Sequence, residues 1–193
     1  MCGIAGYLGQ GDQPTLKRMT DAIAHRGPDD DGFFVDRDLG FGFRRLSIID
    51  VGGGRQPMFN EDRTVAVIFN GEIYNYPELR DALRAKGHTF ATTSDTEVIV
   101  HGYEEFGPAI FSRLNGMFAV ALWDTRKREL ILARDRLGKK PLYYGTFGRT
   151  FIFGSELKAM LQHPEARREL DWSSLAKYLV FDYVPTPHSL FRR

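Results

Sequence analysis

The chain begins MCGIAGYL (Met1–Leu8), and the expected fold is built outward from this stretch. The apolar run Ile4–Leu8 predicts a short buried strand, which would fix Cys2, the only cysteine of the 193 residues, at the end of a sheet. Once Met1 is removed, Cys2 carries both a thiol and a free α-amine, and the ordinary pKa of such an amine lies below that of a thiol. The neutral amine can then accept the thiol proton, so nucleophile and general base would share one residue. Position alone leaves a chance cysteine at a frayed terminus as the alternative.

Composition limits the class of protein. A chain of 193 residues with 42% hydrophobic and 13% aromatic residues can form one domain with a sizeable core. The 26 basic and 25 acidic residues are interspersed, so we expect no nucleic-acid partner. One cysteine excludes an internal disulfide framework. No apolar run reaches the roughly 18 residues of a membrane span, and no signal peptide is visible, so we expect no membrane partner and a cytoplasmic location.

Predicted elements alternate between strand hairpins and helices, which indicates an α+β layered domain. Val65–Phe69 is expected to be a buried strand that ends at Asn70-Gly71. Further strands are expected at 33–36, 39–43, 46–49, 118–124, 129–133, 142–146 and 150–153. Helices are expected at 14–24, 77–86, 96–106 and 172–181. The last residues follow Pro185-Thr186-Pro187 with no terminal element behind them, so we expect a cut through a longer protein.

Asn70-Gly71 comes directly after the predicted buried strand. The dipeptide alone predicts a hairpin turn, but the next predicted element is a helix that begins at Pro77. An Asn70 side-chain amide beside the Gly71 N–H would supply the donors of an oxyanion hole, where one donor is worth about 3–4 kcal/mol. Both interpretations stay open on the spacing alone.

Two residues of opposite charge are candidates for substrate binding. Arg45 lies at the edge of the apolar run 46–49, where it could clamp a carboxylate or simply pair at the surface. Asp95 in Ser94–Glu97 predicts a helix N-cap with acids in the first turn, and it could equally pair with a substrate ammonium. A cation and an anion around one pocket are what a free α-amino acid requires.

Other charged motifs carry less information. Arg134–Pro141 lacks the glycine spacing of a phosphate-binding loop, so we interpret it as a charged turn between strands. The five histidines, at positions 25, 88, 101, 163 and 188, show no ligand spacing, and we expect no metal.

Taken together, these motifs resemble the class II glutamine amidotransferases, which are N-terminal-nucleophile glutaminases. The resemblance extends from Cys2 to Pro185 and is strongest to the glutaminase domain of glutamine-hydrolysing asparagine synthetases. The motifs that carry it, in order, are HRGPD (25–29), RLSIID (45–50), QPM (56–58), NGEIYN (70–75), SDTE (94–97), NGMFA (115–119), RDRLG (134–138) and GSELK (154–158).

The resemblance implies a four-layer αββα sandwich, in which two mostly antiparallel sheets are flanked by helices and Cys2 lies at the mouth of a pocket between them. Residues 1–193 would form a class II glutaminase domain, truncated before a C-terminal ATP-dependent synthetase domain. Catalysis would use Cys2 as nucleophile, its own amine as base, and Asn70 and Gly71 as oxyanion donors. The implied substrate-binding residues are Arg45 for the α-carboxylate, Glu72 and Asp95 for the α-ammonium, and the backbone of Leu46, Ser47, Ile48 and Ile49.

The implied reaction is hydrolysis of glutamine to glutamate and ammonia through a thioester on Cys2. Ammonia would pass to the chain's own synthetase domain, which converts aspartate to asparagine. This chain would bind glutamine and no cofactor, Mg-ATP would belong to the synthetase domain, and a homodimer is one option. Two alternatives stay open: the glutaminase domain of another class II amidotransferase with a different acceptor, and a non-catalytic pseudo-glutaminase that binds a partner.

Overall fold

The computed structural model describes residues 1–47 and 53–192. In these parts of the chain the strands are β1 (Gly3–Leu8), β2 (Asp30–Asp36), β3 (Leu39–Arg45), β4 (Met58–Phe59), β5 (Val65–Ile73), β6 (Gly116–Asp124), β7 (Glu129–Arg134), β8 (Tyr143–Phe147) and β9 (Thr150–Gly154). The α-helices are α1 (Gln13–Asp21), α2 (Tyr76–Ala85), α3 (Glu97–Phe106), α4 (Ile110–Arg113), α5 (Leu157–Met160) and α6 (Trp172–Phe181). Short 3₁₀-helices cover Ala24–Arg26 and Gly107–Ala109.

The strands form two sheets in which the neighbouring strands are antiparallel. The five-stranded sheet has the order β2-β3-β1-β9-β8, and the four-stranded sheet has the order β4-β5-β6-β7. Side chains alternate across a strand, so one face of each sheet points toward the other sheet. The shared core consists of Ile4, Leu39, Phe41, Phe43 and Phe153 from the first sheet with Ala66, Ile68, Ala119, Ala121 and Trp123 from the second.

Helices cover both outer faces. Helices α1 and α5 pack on the five-stranded sheet, and α2 and α3 pack on the four-stranded sheet. Strand β5 is therefore buried on both faces, which explains why Val65–Phe69 is a continuous apolar run. The predicted four-layer αββα sandwich is confirmed.

The bounds of several predicted elements are also confirmed within one to four residues. These elements are the hairpins β6–β7 and β8–β9, helices α2 and α3, and α6 with Asp171 as its N-cap. Helix α1 ends at Asp21, three residues before its predicted end, and the chain continues as a 3₁₀-helix. The two-residue strand β4 was not predicted, because two residues are too few to show a period.

The predicted end of the strand at Asn70-Gly71 is wrong. Strand β5 continues to Ile73, which pairs with Gly116 at the start of β6. A Cβ atom on Gly71 would lie 2.2 Å from the carbonyl oxygen of Met117, so glycine here permits close approach of two strands. The dipeptide serves cross-strand packing, and the hairpin-turn interpretation is also wrong.

The predicted strand over 46–49 is wrong for the part that the structure describes. Strand β3 extends to Arg45 by pairing with Asp30, and Leu46 and Ser47 follow it without strand structure. Ile48 and Ile49 lie outside the described residues. Among the described residues, no helix has both the length and the apolarity needed to cross a bilayer.

Candidate active site

The backbone around Cys2 is held from two sides. Strand β1 pairs with β3 in a register that places Gly3 opposite Arg44, so Cys2 lies beside the end of β3. The Leu46 N–H lies 3.4 Å from Cys2 Sγ, and Sγ lies 3.6 Å from the Leu46 carbonyl oxygen. Arg26 Nε donates to the Cys2 carbonyl oxygen at 3.0 Å. These contacts fix the thiol at the edge of the five-stranded sheet.

Strand β5 directs a row of N–H groups toward its open edge. The Phe69 N–H donates to Gln56 Oε1 at 2.6 Å, and the Ile73 N–H donates to Asp95 Oδ2 at 2.9 Å. Because N–H direction alternates along a strand, the Gly71 N–H faces the same edge, between these two side-chain bonds. The edge therefore presents the Gly71 donor at a defined place.

Asn70 supplies a second donor. Its side chain follows Ala66 and Ile68 in the alternation that faces the five-stranded sheet. The residue is 1% exposed, and Nδ2 has no hydrogen-bond partner among the described residues. A buried donor without an acceptor costs about 1–3 kcal/mol, so a ligand oxygen is the natural partner for this amide.

One cavity of about 90 Å³ collects most of the predicted site residues. The predicted residues in its lining are Cys2, Arg45, Leu46, Asn70, Gly71, Glu72 and Asp95. Ser47 is not among the described lining residues, and its N–H donates to Asp29 Oδ2 at 2.7 Å. The predicted roles of Ile48 and Ile49 lie outside the described residues.

Buried charges of opposite sign face this cavity. Arg45 is 5% exposed and Asp95 is 4% exposed. Burial, and then the neighbouring carboxylate of Glu72, raise the pKa of Asp95 above its ordinary value despite the hydrogen bond from Ile73. A ligand ammonium beside Asp95 would offset both effects, so the cavity suits a zwitterion.

The N-cap interpretation of Ser94–Glu97 is wrong, whereas the acid expected in the first turn is confirmed for Glu97. Helix α3 begins at Glu97 after Thr96, without a side-chain cap, and Asp95 bonds to β5 instead. Glu97 turns away from the cavity and accepts hydrogen bonds from Ala91 and Thr92. The SDTE motif therefore divides its acids between the cavity and the outer helix layer.

Several lining residues were not predicted as site residues, among them Gln56 and Lys140. Gln56 connects the β5 edge to α3, because its Nε2 donates to Thr96 Oγ1 at 3.4 Å. Lys140 is buried, and its Nζ lies 3.3 Å from Sδ of Met1, which also lines the cavity. The turn interpretation of Arg134–Pro141 was correct, but it did not show that the turn directs Lys140 inward.

The sandwich and the cysteine beside a cavity between its sheets define an N-terminal nucleophile hydrolase fold. Solved structures agree with this class. Glutamine phosphoribosylpyrophosphate amidotransferase from B. subtilis, complexed with ADP and GMP, matches with a TM-score of 0.69 at 24% identity, over 82% of this chain and 42% of that chain. A structure of the allosteric regulatory enzyme of purine biosynthesis matches with a TM-score of 0.71 at 24% identity, over 83% of this chain and 43% of that chain.

The family model described as "Glutamine amidotransferase domain" matches residues 1–193, and the chain belongs to this family. It is 47% identical to asparagine synthetase [glutamine-hydrolyzing] 1 of Bacillus subtilis (strain 168), over 98% of this chain and 31% of that protein. It is also 47% identical to asparagine synthetase [glutamine-hydrolyzing] 2 of Arabidopsis thaliana, over 83% of this chain and 28% of that protein. The chain thus spans about a third of the length of these relatives.

Proposed function

We propose that this chain hydrolyses glutamine to glutamate and ammonia through a thioester on Cys2. The observation that carries the proposal is one cavity that brings the Cys2 thiol together with the unpartnered Asn70 amide and with the buried charges of Arg45 and Asp95. A nucleophile, an oxyanion donor and a zwitterion site are the parts that amide hydrolysis of an α-amino acid needs.

Substrate binding uses the two charged sides of the cavity. Arg45 holds the α-carboxylate of glutamine, and Asp95 with Glu72 holds the α-ammonium. Burial and the nearby Glu72 carboxylate raise the pKa of Asp95, and a positive charge beside it would favour its ionised form. The ammonium supplies that charge, so substrate binding and ionisation of Asp95 support each other.

The first half-reaction forms the thioester. After removal of Met1, the Cys2 amine takes the thiol proton, and Sγ attacks the side-chain carboxamide carbon. The oxyanion of the tetrahedral intermediate accepts hydrogen bonds from Asn70 Nδ2 and the Gly71 N–H. The protonated amine then gives its proton to the departing nitrogen, the C–N bond breaks, and ammonia leaves.

The second half-reaction consumes one water molecule. The Cys2 amine takes a proton from water as the oxygen attacks the thioester carbon, and the same two donors hold the new oxyanion. When the C–S bond breaks, the thiolate recovers the proton from the amine. The new γ-carboxyl group gives its remaining proton to solvent, and glutamate leaves. The cysteine returns to its starting state.

We further propose that the ammonia serves an ATP-dependent synthetase region that converts aspartate to asparagine, with Mg-ATP bound there and not by this chain. The names of the relatives and their greater length support this. On α6, Leu179 and Val180 are each 74% exposed, and such an apolar surface suits contact with a further domain. A cytoplasmic location belongs to this proposal, and a homodimer stays an option that the cavity does not require.

The test is glutamate release from glutamine by the chain with Cys2 proven by mass spectrometry to be its first residue. We expect turnover in the parent chain, none in Cys2→Ala, and a mass increase confined to Cys2 after treatment with a glutamine analogue that carries an electrophilic ketone. A folded chain that binds glutamine without turnover would favour the pseudo-glutaminase. Asparagine formation from aspartate and Mg-ATP by the full-length protein would separate this acceptor from others.

A further inference from the structure

A second cluster of chemically active side chains lies on the outer layer of the molecule, away from the Cys2 cavity. Glu61 is in the loop between β4 and β5, His88 follows α2, and His101 and Glu104 lie one turn apart on α3. One ligand atom from each residue can be chosen so that all four lie within 4.8 Å of one another. The sequence gives no sign of this cluster, because the residues are separated by up to 43 positions (104 − 61).

Four contacts between the histidines and the carboxylates are close to the edge lengths of a metal-binding tetrahedron. His101 Nδ1 lies 3.2 Å from Glu61 Oε2 and 3.4 Å from Glu104 Oε2. His88 Nδ1 lies 3.6 Å from Glu61 Oε1 and 3.8 Å from Glu104 Oε2. Tetrahedral zinc with bonds of about 2.0–2.1 Å needs ligand atoms about 3.3–3.4 Å apart. The ligand atoms as a set lie within 4.8 Å of one another, so the widest separation would have to shorten by up to about 1.4 Å on an ion. The two histidines also face different oxygens of Glu61, so rotation of that side chain would accompany binding.

Each carboxylate has an outer partner that orients it. Asn60 Nδ2 donates to Glu104 Oε1 at 2.7 Å, which leaves Oε2 directed at both histidines. The Thr89 N–H donates to Glu61 Oε1 at 3.0 Å. Such second contacts are typical of metal-binding carboxylates, whose geometry they fix.

Each imidazole also has a carboxylate behind it. His101 Nε2 lies 3.4 Å from Glu97 Oε1, and His88 Nε2 lies 3.7 Å from Glu105 Oε2. A carboxylate that accepts from one ring nitrogen leaves the other nitrogen as the metal ligand. The carboxylates of Glu61, Glu97, Glu104 and Glu105 thus surround the two imidazoles.

We propose that Glu61, His88, His101 and Glu104 bind one divalent transition-metal ion, of which Zn²⁺ fits best, through two Nδ1 atoms and two carboxylate oxygens. His101 is 1% exposed, whereas the Glu61 side chain is 41% exposed, which gives the ion a route of entry. The ion would tie the β4–β5 loop and the end of α2 to α3. Its role is structural, and it does not depend on the reaction at Cys2.

The experiment is a Zn²⁺ titration of the tag-free chain, because an affinity tag of histidines would bind the ion itself. The Cys2→Ser variant serves as the background, which removes the thiol as a competing ligand. Affinity is measured by competition with a chromophoric chelator, and Co²⁺ is used as a spectroscopic probe of geometry. His88→Gln and Glu104→Gln each remove one ligand at a partly exposed position. His188→Gln, at an exposed histidine outside the cluster, is the matched control.

We expect one Zn²⁺ per chain, tetrahedral Co²⁺ absorption bands, and a melting temperature that rises with Zn²⁺. Affinity should fall at least about tenfold in His88→Gln and in Glu104→Gln, and it should be unchanged in His188→Gln. Circular dichroism of each variant without metal checks that it folds. Absence of stoichiometric binding, or binding that both ligand variants retain at full affinity, would overturn the proposal.

Discussion

The two sheets divide the proposed chemistry between them. The five-stranded sheet carries the nucleophile Cys2 before β1 and the buried cation Arg45 at the end of β3. The four-stranded sheet carries the donors Asn70 and Gly71 on β5, and its outer layer supplies Asp95. The five-stranded sheet thus supplies the nucleophile and the cation of the site, whereas the four-stranded sheet and its helices supply the anion and the hydrogen-bond donors.

The cavity contains buried polar groups that reduce the stability of the free protein, and a role in substrate binding explains them. Asn70 Nδ2 is buried without a partner, and Asp95 is buried beside another carboxylate, so both are unfavourable in the free protein. Both line the same cavity as Arg45, so a bound amino acid could contact all three. Three apolar clusters stabilise the sandwich around these unfavourable groups.

The largest expected effect on glutaminase activity comes from removing the buried charge of the cavity that either sheet supplies. Arg45→Ala or Asp95→Ala leaves a substrate charge unpaired, at a cost of about 2–5 kcal/mol, which is about 30- to several-thousand-fold in kcat/KM. Steady-state glutaminase kinetics measure this loss. Arg44→Ala is the control, because the neighbouring Arg44 pairs with Asp21 and Asp31 at the surface.

In the full-length protein, ammonium salt can replace glutamine as the nitrogen source. Product formation from ammonium salt should survive both Arg45→Ala and Asp95→Ala, because ammonia bypasses the cavity. Equal losses with glutamine and with ammonium salt would show that these residues support the fold or the passage between domains.

Next in size is the effect of the oxyanion donor on the four-stranded sheet. Asn70→Ala should lower kcat by about 10²–10³-fold with a smaller change in KM, because the donor acts mainly in the transition state. Asn70→Asp should lose more, since it places a carboxylate against the developing oxyanion. A rise in KM alone would make Asn70 a binding residue.

On the side of the four-stranded sheet we also expect an effect on stability, at Asp135 beside β6. Its carboxylate accepts from the N–H groups of Phe118, Leu137, Lys139 and Lys140. Asp135→Ala should cost about 1–3 kcal/mol for each buried N–H left without an acceptor. Urea unfolding at pH 7 measures this. Asp182→Asn is the control, because Asp182 is exposed and asparagine tolerates its positive φ.

The free energy of unfolding that is lost in Asp135→Ala should depend on pH in a defined direction. Burial raises the pKa of Asp135, but the four backbone hydrogen bonds outweigh it and hold that pKa below the ordinary 3.8. Its ionic contribution to stability is therefore present above pH 3.8 and is lost as the pH falls through the folded-state pKa. The difference in unfolding free energy between parent and Asp135→Ala should narrow on acidification in that window.

The smallest expected effect is on the stability of Asp95→Asn, and it is a gain where Asp135→Ala gives a loss. The raised pKa of Asp95 means that its carboxylate destabilises the folded chain increasingly as the pH rises from 3.8 through the folded-state pKa. Asp95→Asn keeps an oxygen that can accept from Ile73 and removes the charge. This variant should unfold at an equal or higher temperature than the parent at pH 7 while it loses glutamine binding. A marked drop in melting temperature would contradict the assigned charge balance.

The sequence predicted the layered fold because local signals agreed with it: apolar runs for β1 and β5, and capped or proline-initiated helices. It failed where distant contacts decide the local structure. Asn70-Gly71 has the residues of a turn, but pairing with β6 keeps it in a strand. The predicted site residues of the cavity stand in or beside the motifs. Gln56 stands in the motif QPM as well, but its place at the cavity, like that of Lys140, depends on tertiary packing that the motif does not show. The four residues of the proposed metal site meet only after α3 packs against the β4–β5 loop.

The central claim is that the α-amine of Cys2 is the general base, and one comparison tests it most directly. Glutamate release is measured for the parent chain with a free Cys2 amine, proven by mass spectrometry, and for a chain with one lysine inserted between Met1 and Cys2 to prevent removal of Met1. Both should have the same circular dichroism and melting temperature. We predict that turnover falls at least about 10²-fold in the extended chain. Equal turnover with residues still preceding Cys2 would contradict the account.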